Sequence, residues 1–323
     1  MHTKEYTLSV WKKILGAREF GIFIPLILLC ALVSVNNVVF LSLDNILDVL
    51  RNTSYILIIA VGMTFVLIGG GLDLSVGSFL ALCGLICGIA LKAGWPIPLA
   101  MLAGLAAGVI GGLLNALVIV RLSIPPLITT LGTLYMARGL VLVITRGTPI
   151  YPLPDAFSNL GNGDIAGIPS VVVIALAVSL VGAWTLKYTV FGREVYAIGG
   201  NEDTARFSGI SVQHVKTAVY VIVTALAALS GVLMTARLGS AQPGIGEGYE
   251  MQVITAVIIG GTSLSGGSGT ILGTALGALF MSVLANGMNL IGVSVYWQKF
   301  VMGAIIIIAV GTDHYRRSVR GAR

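Results

Sequence analysis

Apolar runs recur along the chain, separated by short polar or glycine-rich stretches. Ten stand out, at 20–41, 55–70, 77–92, 97–120, 124–145, 169–187, 216–238, 250–262, 270–290 and 297–312. The pattern predicts ten helical membrane segments. A straight crossing takes about 20 residues at 1.5 Å per residue. The runs at 55–70 and 250–262 fall short of that, and 250–262 reads as a half-helix. Composition supports this reading. Of 323 residues, 56% are hydrophobic and 10% charged, with a mean hydropathy of +0.98, whereas soluble domains carry roughly a quarter charged residues. The expected fold is an all-α polytopic membrane bundle, with residues 1–323 forming one transmembrane domain.

Charge sets the expected orientation. With the N-terminus in the cytoplasm, 13 basic residues lie inside: Lys4, Lys12, Lys13, Arg18, Arg121, Lys187, Arg193, Arg206, Lys216, Arg316, Arg317, Arg320 and Arg323. The other six of the 19, Arg51, Lys92, Arg138, Arg146, Arg237 and Lys299, fall outside or near outer ends. This bias fits ten spans with both termini cytoplasmic. It also accounts for the formal charge of +6 without a nucleic-acid partner. The first apolar run exceeds the roughly 7–15 residues of a signal-peptide core, so it reads as a retained span.

Glycine spacing predicts close helix packing. Gly84 and Gly88 are four apart, as are Gly104, Gly108 and Gly112, and Gly269, Gly273 and Gly277. Small residues at this interval let helix backbones approach in lipid. A second glycine pattern is an internal echo, GGLDLSVGS at 70–78 and GGTSLSGGS at 260–268. Each copy lies between two apolar runs and faces the same side in the ten-span topology. Two readings are open: chance similarity in a glycine-rich chain, or duplication of a broken-helix element, and transporters place substrate paths where such elements meet. Asp73, Ser75, Thr262, Ser263 and Ser265 are therefore candidates for the path. Two roles are open for Asp73: capping the helix that starts near Ser75, or lining the path. An aspartate at membrane depth costs roughly 2.5–3.5 kcal/mol on insertion scales.

Catalytic and nucleotide motifs are missing. The sequence has no phosphate-binding loop G-x-x-x-x-G-K-[ST], no H-E-x-x-H and no G-x-S-x-G. His2, His214 and His314 are scattered among polar ends and loops. Cys30, Cys83 and Cys87 sit in apolar runs and read as buried thiols. Aside from Asp73, acids hardly occur within the apolar runs, which argues against a proton-driven carrier.

The largest expected cytoplasmic loop is 188–216. Within it, 201–209 reads as a compact helix. Asn201 caps it, Glu202 and Asp203 suit the positive end of its dipole, and Gly209 ends it. With Ala205, Arg206 and Phe207 it reads either as a docking knob or as an ordinary loop helix lying on its own membrane domain.

Four stretches, GGGLDLSVGS at 69–78, GREVYAIGGNEDTARFSGISV at 192–212, ARLGSAQPGIGEGYEMQVITAVIIGGTSLSGGSGT at 236–270 and NGMNLIGVSVYWQ at 286–298, resemble the permease subunit of ribose-type ABC sugar importers. That family includes xylose, arabinose, galactose, rhamnose and autoinducer-2 systems, and the likeness covers nearly the whole chain. It implies a path formed by two permease subunits, as second copy or paralogue, in the bacterial cytoplasmic membrane among its lipids. It implies ATPase subunits docked on the cytoplasmic loops, holding the ATP and Mg that this chain does not bind, and a periplasmic or lipid-anchored binding protein that delivers the sugar. The family's coupling loop falls on 192–212, which makes Gly192, Arg193, Gly199, Gly200, Asn201, Arg206, Phe207, Ser208 and Gly209 the expected ATPase contacts. The loops at 146–168 and 239–249, with Asn159 and Gln242, are expected to face the binding protein. The competing reading is a stand-alone secondary transporter or facilitator of a small polar solute.

Overall fold

The computed structural model describes residues 20–321, so Lys4, Lys12, Lys13, Arg18, Arg323 and His2 lie outside the described residues. The chain is helical nearly throughout. In order, the helices are α1 Phe20–Asn36, α2 Leu43–Ile68, α3 Val76–Lys92, α4 Ile97–Ala116, α5 Pro126–Thr145, α6 Asp155–Asn162, α7 Ser170–Tyr188, α8 Val190–Gly200, α9 Glu202–Phe207, α10 Val212–Leu238, α11 Tyr249–Ile259, α12 Ile271–Leu290 and α13 Val295–Gly321. A π-helical turn, Leu117–Arg121, extends α4. A minimal hairpin, β1 Asp164–Ile165 with β2 Ile168–Pro169, sits between α6 and α7.

Each apolar run of the sequence carries one helix. Six of these, α2, α4 with its π extension, α5, α7, α10 and α12, are long and apolar enough to cross a membrane. Shorter apolar helices occupy the runs of α1, α3, α11 and α13. The half-helix reading of 250–262 holds, because α11 has 11 residues. The second run is not short. α2 begins at Leu43 and has 26 residues, since its first turns are polar and escape a hydropathy pattern. Ser42 caps it by accepting from the amide of Asn45.

α10 forms the centre, packed on α2, α3 and α4. Glycines make those contacts close. A Cβ on Gly104 would come within 2.8 Å of the Cys83 carbonyl oxygen of α3, and one on Gly108 within 2.7 Å of the Thr224 carbonyl oxygen of α10. Gly273 and Gly277 of α12 abut the backbone of Gly260 and Ala256, closing α11 and α12 into a tight hairpin. The hydroxyls of Thr64 and Thr274 meet at 2.7 Å and tie α2 to α12. Dispersion and interhelical hydrogen bonds thus replace the hydrophobic drive that lipid does not supply.

One end of the bundle is tied by charge. Arg51 reaches Asp48 at 3.2 Å and Asp164 of the hairpin at 3.7 Å. Arg237, at the end of α10, reaches Asp48 at 3.6 Å and Asn52 at 3.1 Å. At the same end Ile150 and Ala241 pair backbone to backbone, joining the loops 146–168 and 239–249. The opposite end carries α8, α9 and the two glycine turns of the echo.

Candidate functional site

At the second end three glycine-rich turns converge. The Gly267 amide donates to the Ile68 carbonyl at 2.8 Å. Gly199, at the end of α8, lies against both. A Cβ there would overlap the Ile68 carbonyl oxygen and come within 2.6 Å of the Gly267 nitrogen. Gly266 closes the group, because its Cβ would fall 2.7 Å from the Gly199 oxygen and 3.1 Å from the Cα of Gly70. The Tyr196 hydroxyl of α8 donates to the Gly269 carbonyl at 2.7 Å. Both copies of the sequence echo therefore meet at one point, and α8 is wedged between them.

Asp73 is fully buried between α2 and α3 and does not lie at a surface. Its Oδ1 accepts from the Ser75 amide at 2.8 Å and from the Ser75 hydroxyl. Asn115 of α4 donates to its Oδ2 at 3.4 Å and to Ser75 Oγ at 3.0 Å. The bond to the residue two positions on is an Asx-turn, and it sets the chain's entry into α3. Three donor contacts offset the desolvation of the carboxylate. Ser75 is equally buried, as are Thr262 and Ser263, whose hydroxyl oxygens have no hydrogen-bond partner among the described residues. Ser265 is exposed on the tip of the second turn.

α9 is built as the sequence predicts. Asn201 Oδ1 accepts from the Thr204 amide at 2.8 Å. Gly209 takes φ +84, and the amides of Gly209 and Ile210 return to the carbonyls of Arg206 and Ala205. This is a Schellman termination that glycine alone adopts without strain. Glu202 pairs with Arg206 at 3.2 Å and with Lys216 of α10 at 2.6 Å. Ala205 is buried underneath, whereas Phe207 is 91% exposed. An open cleft of about 700 Å³ lies alongside, lined by Ile119, Ser123, Pro126, Glu202, Arg206 and Lys216, among others. α8 is the part of 188–216 that sequence reasoning missed. Within it Gly192 is buried and Arg193 and Gly200 are exposed, and past it Asn201 and Ser208 are exposed.

At the end tied by charge, Asn159 of α6 and Gln242 are both exposed, on the two loops that Ile150 and Ala241 join. Within the bundle lies a charged group built on Arg138, which the sequence reading had placed outside or near an outer end and which falls inside α5. Arg138 of α5 donates to the carbonyls of Pro243 at 2.8 Å, Ile245 at 3.0 Å and Gly77 at 3.3 Å. Glu247 and Glu250 face it electrostatically. Their signal was the GEGYE stretch, split in the sequence reading between the loop 239–249 and the apolar run 250–262. Among the described residues no His, Cys, Asp and Glu group could hold a metal.

A family profile described as "Branched-chain amino acid transport system / permease component" matches residues 45–310. The chain belongs to this family. It is 42% identical over 297 residues to the ribose import permease protein RbsC of Haemophilus influenzae, covering 91% of this chain and 92% of that protein. It is 45% identical over 300 residues to RbsC of Bacillus subtilis, covering 92% of each. The D-allose transport system permease protein AlsC of Escherichia coli is 37% identical over 298 residues, covering 91% of each chain. No solved structure matches. A permease component is a non-catalytic transport subunit, in keeping with a sequence that carries no nucleotide or hydrolase motif.

Proposed function

We propose that the chain is the membrane-spanning permease of an ABC importer for a sugar-like solute. The carrying observation is its likeness, over nine-tenths of both chains, to ribose import permeases. All ten apolar helices then cross or enter the bilayer, with both termini cytoplasmic, and two permease subunits enclose the path. The end bearing α8, α9 and the cleft beside them faces the ATPase, which holds ATP and Mg. Phe207 and Arg206 are the anchors there, with Gly192, Arg193, Gly199, Gly200, Asn201, Ser208 and Gly209 shaping the element. The end bearing Asn159 and Gln242 receives the binding protein. The turns with Asp73, Ser75, Thr262, Ser263 and Ser265 move as the path opens. The convergence of both turns on α8 supports a mechanical link between ATPase and path.

Reconstitution tests this reading. Vesicles with the permease, its ATPase and its binding protein are given labelled D-ribose, D-allose and D-xylose. Uptake of at least one that requires ATP and both partners is expected. Uptake driven by an ion gradient without the ATPase would mean a stand-alone carrier instead.

A further inference from the structure

Arg138 sits 13th in the 20-residue α5, about 18 Å from its first residue and about 10 Å from its last. The 11 residues of α11 run about 16 Å from the converged glycine turns, which places Glu247 and Glu250 at a similar depth. The loop between α10 and α11 thus dips from the outer end to mid-membrane. There it meets the other broken element. A Cβ on Gly77 would strike the Glu250 carboxylate and lie 2.5 Å from the Gly246 carbonyl oxygen. Arg138 clamps this junction through the three carbonyls of Pro243, Ile245 and Gly77.

The junction is not sealed. Glu247 is exposed, and Arg138 and Glu250 are half-buried. Neither carboxylate closes an ion pair with Arg138 among the described residues; the salt bridges lie elsewhere. Accessible charges at this depth do not face lipid, because each costs several kcal/mol there; they face a wet cavity or another protein surface. The backbone points the same way. Irregular chain at membrane depth, such as 239–248, survives where it lines water or is covered by protein.

We propose that Arg138, Glu247 and Glu250 line the water-filled path at mid-membrane, and that Glu250 is the transient acceptor for hydroxyls of the passing solute. This rests on the importer reading above. A carboxylate accepts from two neighbouring hydroxyls at once, while the guanidinium can donate to a ring or hydroxyl oxygen. That chemistry suits an uncharged polyol. Arg138 acts mainly by positioning, since its donors already hold the two broken elements together.

The test uses the full transporter in vesicles. Single cysteines replace Glu247, Glu250 and, as a control on the exposed apolar face of α5, Val143, which is 75% exposed. The probe is a charged, membrane-impermeant methanethiosulfonate. Glu247→Cys and Glu250→Cys should react, and the transported sugar with ATP and binding protein should slow that reaction, while Val143→Cys stays unreactive. Glu250→Gln keeps the shape and should lower uptake roughly tenfold while binding-protein-stimulated ATP hydrolysis persists. No labelling at either glutamate position, with Asn159→Cys labelling normally, would mean these charges are covered by a second subunit and would overturn the proposal. Labelling without protection by sugar, or full uptake by Glu250→Gln, would overturn the acceptor role. Each of these outcomes leaves ATP-dependent uptake by the unmodified transporter intact, so failure here is distinct from failure of the importer reading.

Discussion

The amide of Gly267 donates to the carbonyl of Ile68 at 2.8 Å, fastening the second glycine turn to the end of α2. Gly199 fills the remaining space so fully that no side chain fits. Gly200, the next residue, has open space around it. Gly199→Ala should therefore destabilise the protein by about 1–3 kcal/mol or more, the usual cost of overpacking a closed contact. Gly200→Ala should stay within about 0.5 kcal/mol of the original. Thermal unfolding of both variants in detergent decides it, and equal midpoints would show that the convergence bears no load.

Asp73 gives a second test. Asp73→Ala strands the Ser75 amide and takes the acceptor from the Ser75 hydroxyl in a buried site, while Asn115 keeps its bond to Ser75 Oγ; the cost is about 1–3 kcal/mol for each unpaired group. Asp73→Asn keeps an oxygen for the Ser75 amide and should retain much more folded protein. If the carboxylate also acts on the path, Asp73→Asn should assemble normally and transport slowly. Folded yield and uptake are measured together. Unchanged values of both in Asp73→Ala would show that the residue does neither.

The helices were legible because membrane spans write themselves as apolar runs, and the cap of α9 because Asn201 and Gly209 have few other uses at that spacing. The start of α2 was not, since Asp44, Asp48, Arg51 and Asn52 are polar yet helical. α8 was hidden for the same reason. It is an amphipathic surface helix inside a mixed loop. The meeting of the two glycine turns was half legible. The echo of 70–78 in 260–268 implied kinship but said nothing of contact, and the third member, Gly199, belongs to neither copy. The Arg138 group escaped because its members come from three separate segments, and only the fold brings Gly77, Arg138 and Glu250 together.

Sidedness follows from the two ends of the bundle. Cysteines at Asn159 and Gln242 should react with an impermeant reagent from outside the cell, and cysteines at Ser265 and Phe207 only after access from the cytoplasm. All four positions are exposed, so a failure to react is not explained by burial. Asn159→Cys and Gln242→Cys should also crosslink to a docked binding protein. Reaction of either only from the cytoplasm would invert the topology.

The coupling element yields the last prediction. Phe207 is 91% exposed and makes little contact with its own fold, so Phe207→Ala should leave membrane insertion and thermal stability nearly unchanged. If the ring is buried in the ATPase, its loss should cost about 1–3 kcal/mol of docking, which is about 5- to 150-fold in affinity. Arg206→Glu is a different perturbation. It places a like charge four residues from Glu202, a cost of only about 0.2–0.5 kcal/mol to the short helix, and it leaves the Lys216–Glu202 bridge to hold α9 in place. Reversed charge at the interface should then weaken docking without unfolding the element. Both variants are expected to insert normally, co-purify less ATPase and lose binding-protein-stimulated hydrolysis. Undiminished co-purification and stimulation in both would move the coupling contact elsewhere, to the turn between Thr262 and Gly269, whose exposed tip at Ser265 lies at the same end.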